Sequence, residues 1–177
     1  IYDELCDIPD KIEQTFATAR KLASAEKSTI TIGSFMLPQI SHAINLAIRT
    51  FGETNPDTIC ELEHQGYAGL RQGLEAGDFD LIMLPVFDIP LLKCEVCSKT
   101  LMRIPASIAV RANHPLAERS DLKLIDFKDC DFILTSPEES SAGYNSIIKL
   151  CEDRGFTPHI GRTVKTLDTL LLAVELG

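Results

Sequence analysis

The stretch Asp80-Leu81-Ile82-Met83-Leu84-Pro85 constrains the fold more than any other part of the chain. It is a short, almost unbroken apolar run between an acid and a proline. Such a run suits a strand buried on both faces of a parallel sheet, where neither face meets water. Parallel neighbours need crossover connections, usually helices, instead of tight hairpins. The sequence supplies them. Thr29-Ile30-Thr31-Ile32-Gly33 is β-branched, ends at a glycine and predicts the first strand. Pro38 opens a helix in which Ile40, Ile44, Ala47, Ile48 and Phe51 share one face. Asn55-Pro56-Asp57 is a turn, Thr58 to Leu62 a second strand, and Tyr67 to Ala76 a helix closed by Gly77. The order β-α-β-α-β is that of a doubly wound lobe.

After a crossing segment from Val86 to Pro105 the alternation resumes. Ala106 to Val110 predicts a strand, His114-Pro115-Leu116-Ala117 a turn, and Leu122 to Phe127 a short helix or turn. Phe132 to Thr135 predicts a strand, Tyr144 to Arg154 a helix stopped by Gly155, and His159 to Val164 a further strand. Thr166 is placed to cap a last helix. At the other end, Asp7 and Pro9 open a helix over residues 8–26, striped by Ile8, Ile12, Phe16 and Ala19. Its end, from Ala23 to Ser28, is small, polar and linker-like.

Composition limits what such a chain does. The 177 residues carry 26 acids and 17 bases, a net charge of −9. That excess argues against this stretch gripping phosphate backbones, which needs clustered Lys and Arg. Trp is absent and aromatics make up 6%, so no stacking platform for single strands is expected. No apolar run approaches the roughly 20 residues of a membrane span. The N-terminus has early acids, no basic region and no initiator Met, and reads as part of a longer protein and not as a signal peptide. Cys6, Cys60, Cys94, Cys97, Cys130 and Cys151 are expected to be reduced thiols of a cytoplasmic protein.

Several pieces in order carry a family resemblance: Ile30-Thr31-Ile32-Gly33, the helix from Leu37-Pro38 to Phe51 and Asn55-Pro56, and Leu70-Arg71-Gln72-Gly73-Leu74-Glu75-Ala76-Gly77-Asp78-Phe79-Asp80-Leu81-Ile82. Later come His114-Pro115-Leu116-Ala117, Leu122-Lys123-Leu124-Ile125-Asp126-Phe127, Asp131-Phe132-Ile133 and the final Leu172-Ala173-Val174-Glu175-Leu176-Gly177. In this order they resemble the effector-binding domain of LysR-type transcriptional regulators over residues 28–177. The resemblance implies a two-lobed α/β fold of the type 2 periplasmic-binding-protein class, each lobe a doubly wound, mostly parallel sheet, with the C-terminal part missing. It divides the chain into the end of a linker helix (1–27), lobe I with the hinge (28–104) and lobe II (105–177). It implies a small-molecule effector, polar or anionic, in a cleft between lobes, and a homodimer or tetramer. The side-by-side pairing would use the helix from Leu37 to Thr50, whose second face carries Ala43 and Leu46. DNA would be bound through a winged helix-turn-helix that is absent here.

Open α/β sheets bind ligands at the carboxyl ends of their strands. The candidates are therefore Ser34 and Phe35 after the first strand, His64 after the second, Leu84 at the end of the third, Thr135 and Ser136 in the second lobe, and Thr166 as cap, ligand hydroxyl or both. Free N–H groups at the helix following Gly33-Ser34-Phe35-Met36 favour an anion. Tyr144 is a weaker candidate. Cys94-Glu95-Val96-Cys97 is a C-x-x-C that reads as plain structural thiols, with redox or metal roles as alternatives. Gly69, Gly73 and Gly77 recur every four residues and suggest a close-packing helix face. Asp78 and Asp80 read as a solvated turn, and Glu138-Glu139 as acids stabilising the next helix. No G-x-S-x-G, H-E-x-x-H, P-loop or G-x-G-x-x-G is present. No catalytic residue, metal or cofactor is implied. A type 2 periplasmic solute-binding protein and an enzyme of related fold, such as a deaminase or dehydratase, are the alternatives.

Overall fold

The computed structural model describes residues 29–35 and 38–177. The helix predicted over 8–26, its linker-like end and Cys6 lie outside the described residues, as do Met36 and Leu37. The chain forms two compact units. The first contains the described residues up to Gln65 together with Gly69–Pro105, and the second contains Gly66–Ala68 and Ala106–Gly177.

In the first unit, β1 (Thr29–Ser34), α1 (Pro38–Thr54), β2 (Ile59–His64), α2 (Tyr67–Ala76, whose first two residues group with the second unit) and β3 (Leu81–Ile82) follow the predicted order. The three strands are parallel in the order β2-β1-β3, so β1 is central. Centrality explains its residues: Ile30 and Ile32 are buried and pack with Ile44, Ala47 and Phe51 of α1, as the helical spacing predicts. Ile48 packs against the same cluster. Proline as the first residue of α1 has the φ a helix needs and no N–H to leave unpaired. At the other end Asn55 donates its side-chain amide to the Phe51 carbonyl (2.9 Å), and Pro56 then prevents continuation.

α2 buries Leu70 and Gly73 and ends as predicted at Gly77, whose φ of +82° suits glycine alone among common residues. The three spaced glycines do not form one smooth face. Gly73 accommodates the Phe79 ring, Gly69 lies beside the Gln65 side chain, and Gly77 serves the turn. Gly33 has its own constraint: a Cβ there would lie 2.7 Å from Leu70 Cδ2 and 3.1 Å from both Phe79 and Ile82. Asp80 is no solvated turn residue. Its carboxylate accepts the Thr31 N–H (2.9 Å) while its own N–H donates to the Thr31 carbonyl (2.9 Å), stitching β3 to β1.

Two strand boundaries differ from expectation. β2 runs to His64, two residues beyond the predicted end, because it stays in register with β1 as far as Ser34. β3 is two residues long, not six, and its residues are half-buried rather than buried on both faces. Among the described residues it is an edge strand paired only with β1, and Pro85, with no N–H, leads into a 3-10 turn over Val86–Leu91.

The second unit holds a 3-10 turn (Leu124–Phe127), β4 (Asp131–Thr135), α3 (Ser141–Glu152), β5 (His159–Val164) and α4 (Leu167–Leu176). β4 and β5 are parallel, with an irregularity at Phe132/Ile133 that leaves Gly161 without a partner in the register. α3 starts three residues earlier than predicted because buried Ser140 caps it, accepting the Gly143 N–H at 2.9 Å. Gly155, at φ +87°, follows it as predicted. The His114 turn forms as predicted: the Ala117 N–H donates to the His114 carbonyl at 2.9 Å. The strand predicted over Ala106–Val110 does not form. That stretch is largely exposed and joins no sheet, and β-branched residues do not make a strand without a ladder to join.

Candidate functional site

The carboxyl edge of the first sheet assembles four of the predicted site residues. Ser34 and His64 are register partners at the ends of β1 and β2. The Gln65 N–H extends the ladder to the Ser34 carbonyl (3.0 Å), and the Met83 N–H reaches the Gly33 carbonyl (2.9 Å), which brings Leu84 to the same edge. Ser34 is 2% exposed. Its hydroxyl donates to the Phe35 carbonyl at 3.0 Å and lies 4.0 Å from the Met83 sulfur, so it is partly committed to fixing its own loop. Phe35 and Leu84 are half-buried and His64 is exposed. The edge thus combines an apolar floor with one imidazole on its rim.

The second unit repeats the arrangement on its own sheet. Thr135 pairs with Val164 in the register, and the Ser136 N–H donates to the Val164 carbonyl at 2.8 Å. Thr166, two residues past Val164, caps α4: its hydroxyl accepts the Thr169 N–H (3.3 Å) and pairs with the Thr169 hydroxyl (2.9 Å). The Ser136 carbonyl accepts the N–H groups of Glu139 (3.0 Å) and Ser140 (3.1 Å), which folds the turn before α3. Glu138 is held below the ordinary carboxylate range, first by a hydrogen bond from its own N–H, then by the Ser136 hydroxyl and the Lys165 charge. Tyr144 is half-buried in the first turn of α3, with its N–H on the Ser140 carbonyl (2.9 Å).

Glu139 does something the sequence reading missed. Its carboxylate accepts the Ala68 N–H at 3.2 Å, in the first turn of α2. Gly66 makes room for it, since a Cβ there would lie 2.5 Å from Glu139 Oε2. The legible signal was Gln65-Gly66 directly before a helix start. The 71-residue separation hid the partner. In this contact one N–H of the first turn of α2 donates to a carboxylate, as the helix dipole favours.

Cys94 and Cys97 are exposed and free, as are the thiols of Cys60, Cys130 and Cys151 at their various depths. Among the described residues no group of three or more His, Cys, Asp or Glu side chains stands close enough to hold a metal ion, and no helix is long and apolar enough to cross a membrane.

Comparison with known proteins agrees with the fold and with the motifs that carried the resemblance. The LysR substrate binding domain profile matches residues 23–177. The chain is 24% identical over 167 residues to the HTH-type transcriptional regulator AlsR of Bacillus subtilis (strain 168), covering 94% of this chain and 54% of AlsR. It is 26% identical over 151 residues to the transcriptional dual regulator GltC of the same organism, covering 85% of this chain and 49% of GltC. It therefore spans about half the length of these curated relatives. The crystal structure of HinK, a LysR family transcriptional regulator from Pseudomonas aeruginosa, shares the fold with a TM-score of 0.54 at 18% identity, over 93% of this chain and 56% of HinK. These relatives are transcriptional regulators. The chain belongs to the LysR substrate-binding domain family.

Proposed function

We propose that this chain is the effector-sensing domain of a cytoplasmic LysR-type transcriptional regulator. The effector is a small polar or anionic molecule. The candidate contact residues are Ser34, Phe35, His64 and Leu84 in the first unit and Thr135, Ser136 and Thr166 in the second. The observation that carries the reading is that β1, β2 and β4 end in Ser34, His64 and Thr135, which puts a hydroxyl or imidazole at the carboxyl edge of each sheet, the place where α/β sheets take ligands.

The effector acts by binding one conformation of the domain better than another, since a ligand shifts an equilibrium only by its differential affinity. The change is passed to a homodimer or tetramer paired through α1. DNA contact belongs to a winged helix-turn-helix elsewhere in the parent protein, because the net charge of −9 suits this chain poorly to phosphate.

Isothermal titration calorimetry of the chain against a panel of small aliphatic and aromatic carboxylates and inorganic phosphate tests the reading. At least one compound should bind, and Ser34→Ala and Thr135→Ala should each weaken that binding about 5- to 10-fold, the loss of roughly one hydrogen bond. Unchanged affinity in both variants removes these strand ends from the site. Absence of binding across the panel by a folded chain argues against an anionic effector.

A further inference from the structure

Nothing described so far uses the C-x-x-C of the first unit. Cys94 and Cys97 are both free and exposed, whereas Cys60 and Cys130 are half-buried and Cys151 is buried. Burial pushes the Cys60 and Cys151 thiols up from their ordinary value of 9.0, which keeps them protonated and unreactive. The 94–97 pair is instead exposed. The chain bends at Lys93–Cys94 and has neither helix nor strand from Glu95 to Val110. No ladder or helical hydrogen bond therefore has to break for the two sulfurs to approach. The stretch is tethered at both ends. The Lys93 N–H donates to Glu75 Oε1 of α2 at 2.9 Å, and Leu101 and Met102 pack against the Ile30, Ile32, Ile44, Ala47 and Phe51 cluster. Two accessible thiols thus lie on a span without helix or strand between two anchored points.

We propose that Cys94 and Cys97 form a reversible dithiol–disulfide couple, oxidised by hydroperoxides. One thiolate attacks the peroxide; its S–O bond forms as the O–O bond breaks, and an alcohol (water, for hydrogen peroxide) leaves with a proton. The second thiolate attacks the resulting sulfenic sulfur, the S–S bond forms, and the hydroxyl departs as water. Two electrons pass from the sulfurs to the peroxide, and the two thiol protons end in the two oxygen products. The two-residue interval keeps the second thiol at high local concentration. Closure also has a mechanical effect. An extended stretch holds residues three apart at about 10 Å between Cα atoms, whereas a disulfide holds them at about 4.4–6.8 Å. Oxidation therefore shortens the span between Lys93 and Leu101, part of the segment that runs on to Pro105 at the end of the first unit. The proposal stands apart from the effector reading and needs no effector for its test.

The test treats the whole chain with one equivalent of hydrogen peroxide, traps remaining thiols with N-ethylmaleimide, and maps the peptides by mass spectrometry. The expected product is a peptide linking Cys94 and Cys97, two hydrogens lighter than the dithiol and restored by dithiothreitol, with Cys60 and Cys151 still alkylatable after unfolding. In Cys94→Ser, Cys97 should instead be trapped as a sulfenic acid by dimedone. Trypsin should cut after Lys99 several-fold more slowly in the oxidised chain. Full alkylation of both cysteines after peroxide overturns the couple, as does a disulfide that joins two chains. Equal cleavage rates in the two forms overturn the tightening of the span.

Discussion

Arg71 and Asp88 form an ion pair that fastens α2 to the 3-10 turn after β3. The Asp88 side chain is fully buried and that of Arg71 is 13% exposed. A buried pair adds little over an apolar replacement, because desolvation offsets attraction, but removing one member strands the other. Asp88→Ala should therefore lower unfolding free energy by about 3 kcal/mol. The double variant Arg71→Met/Asp88→Leu should recover most of that loss. Urea unfolding of the three proteins checks both. If the double variant is as unstable as Asp88→Ala, the pair is not what holds the turn.

Two glycines predict opposite signs for the same substitution. In α2, Gly73 leaves no room, because a Cβ would overlap the Phe79 ring. Gly73→Ala should destabilise the protein by about 1–3 kcal/mol through overpacking. In α1, a Cβ at Gly52 would meet nothing within 4 Å. Gly52→Ala should stabilise it by about 0.5–1 kcal/mol, since alanine loses less backbone entropy in a helix. Thermal unfolding should show one Tm falling and the other rising.

Thr166 shows how a cap and a ligand group are told apart. Its hydroxyl accepts the Thr169 N–H, so Thr166→Ala should cost about 1 kcal/mol of stability. Thr166→Ser keeps the oxygen and should keep the stability. Calorimetric binding of an effector separates the second role. If Thr166→Ala lowers stability and leaves affinity unchanged, the residue is a cap alone and leaves the proposed site.

Local chemistry made most of this fold legible. Pro38, Gly77, Gly155 and Thr166 each mark a helix boundary by their own backbone or hydroxyl requirements, and each stands where the sequence placed it. The carboxyl-edge position of Ser34, His64 and Thr135 followed from strand ends alone. What the sequence hid was pairing between distant residues. The apolar run at 81–84 could not reveal that β3 lies at an edge, nor could Ile108 and Val110 reveal that no neighbouring strand waits for them. Asp80 on Thr31, Asp88 on Arg71 and Glu139 on Ala68 are carboxylates whose partners lie 17 to 71 residues away. Such contacts depend on the fold and leave no periodic trace.

Ser136 and Glu138 give a site-level reading of the second unit's edge through pH. Glu138 is held below its ordinary value of 4.5 by its own N–H first, then by the Ser136 hydroxyl and Lys165. A carboxyl whose folded value is depressed stabilises the fold above its unfolded pKa, and that contribution fades as pH falls towards the folded value. Ser136→Ala should therefore move the Glu138 midpoint up towards 4.5 without reaching it, because the N–H and Lys165 remain. Lys165→Met should move it less, since its charge acts more weakly than the hydroxyl. Carbon-detected NMR titration of the Glu138 carboxyl reads both shifts. If an anionic effector takes the Ser136 hydroxyl, its binding should raise the Glu138 midpoint through loss of that hydrogen bond and through its own charge, and should raise it less in Ser136→Ala, where only the charge acts. A midpoint that ignores a bound effector would place Ser136 outside the contact surface and confine its hydroxyl to the turn before α3.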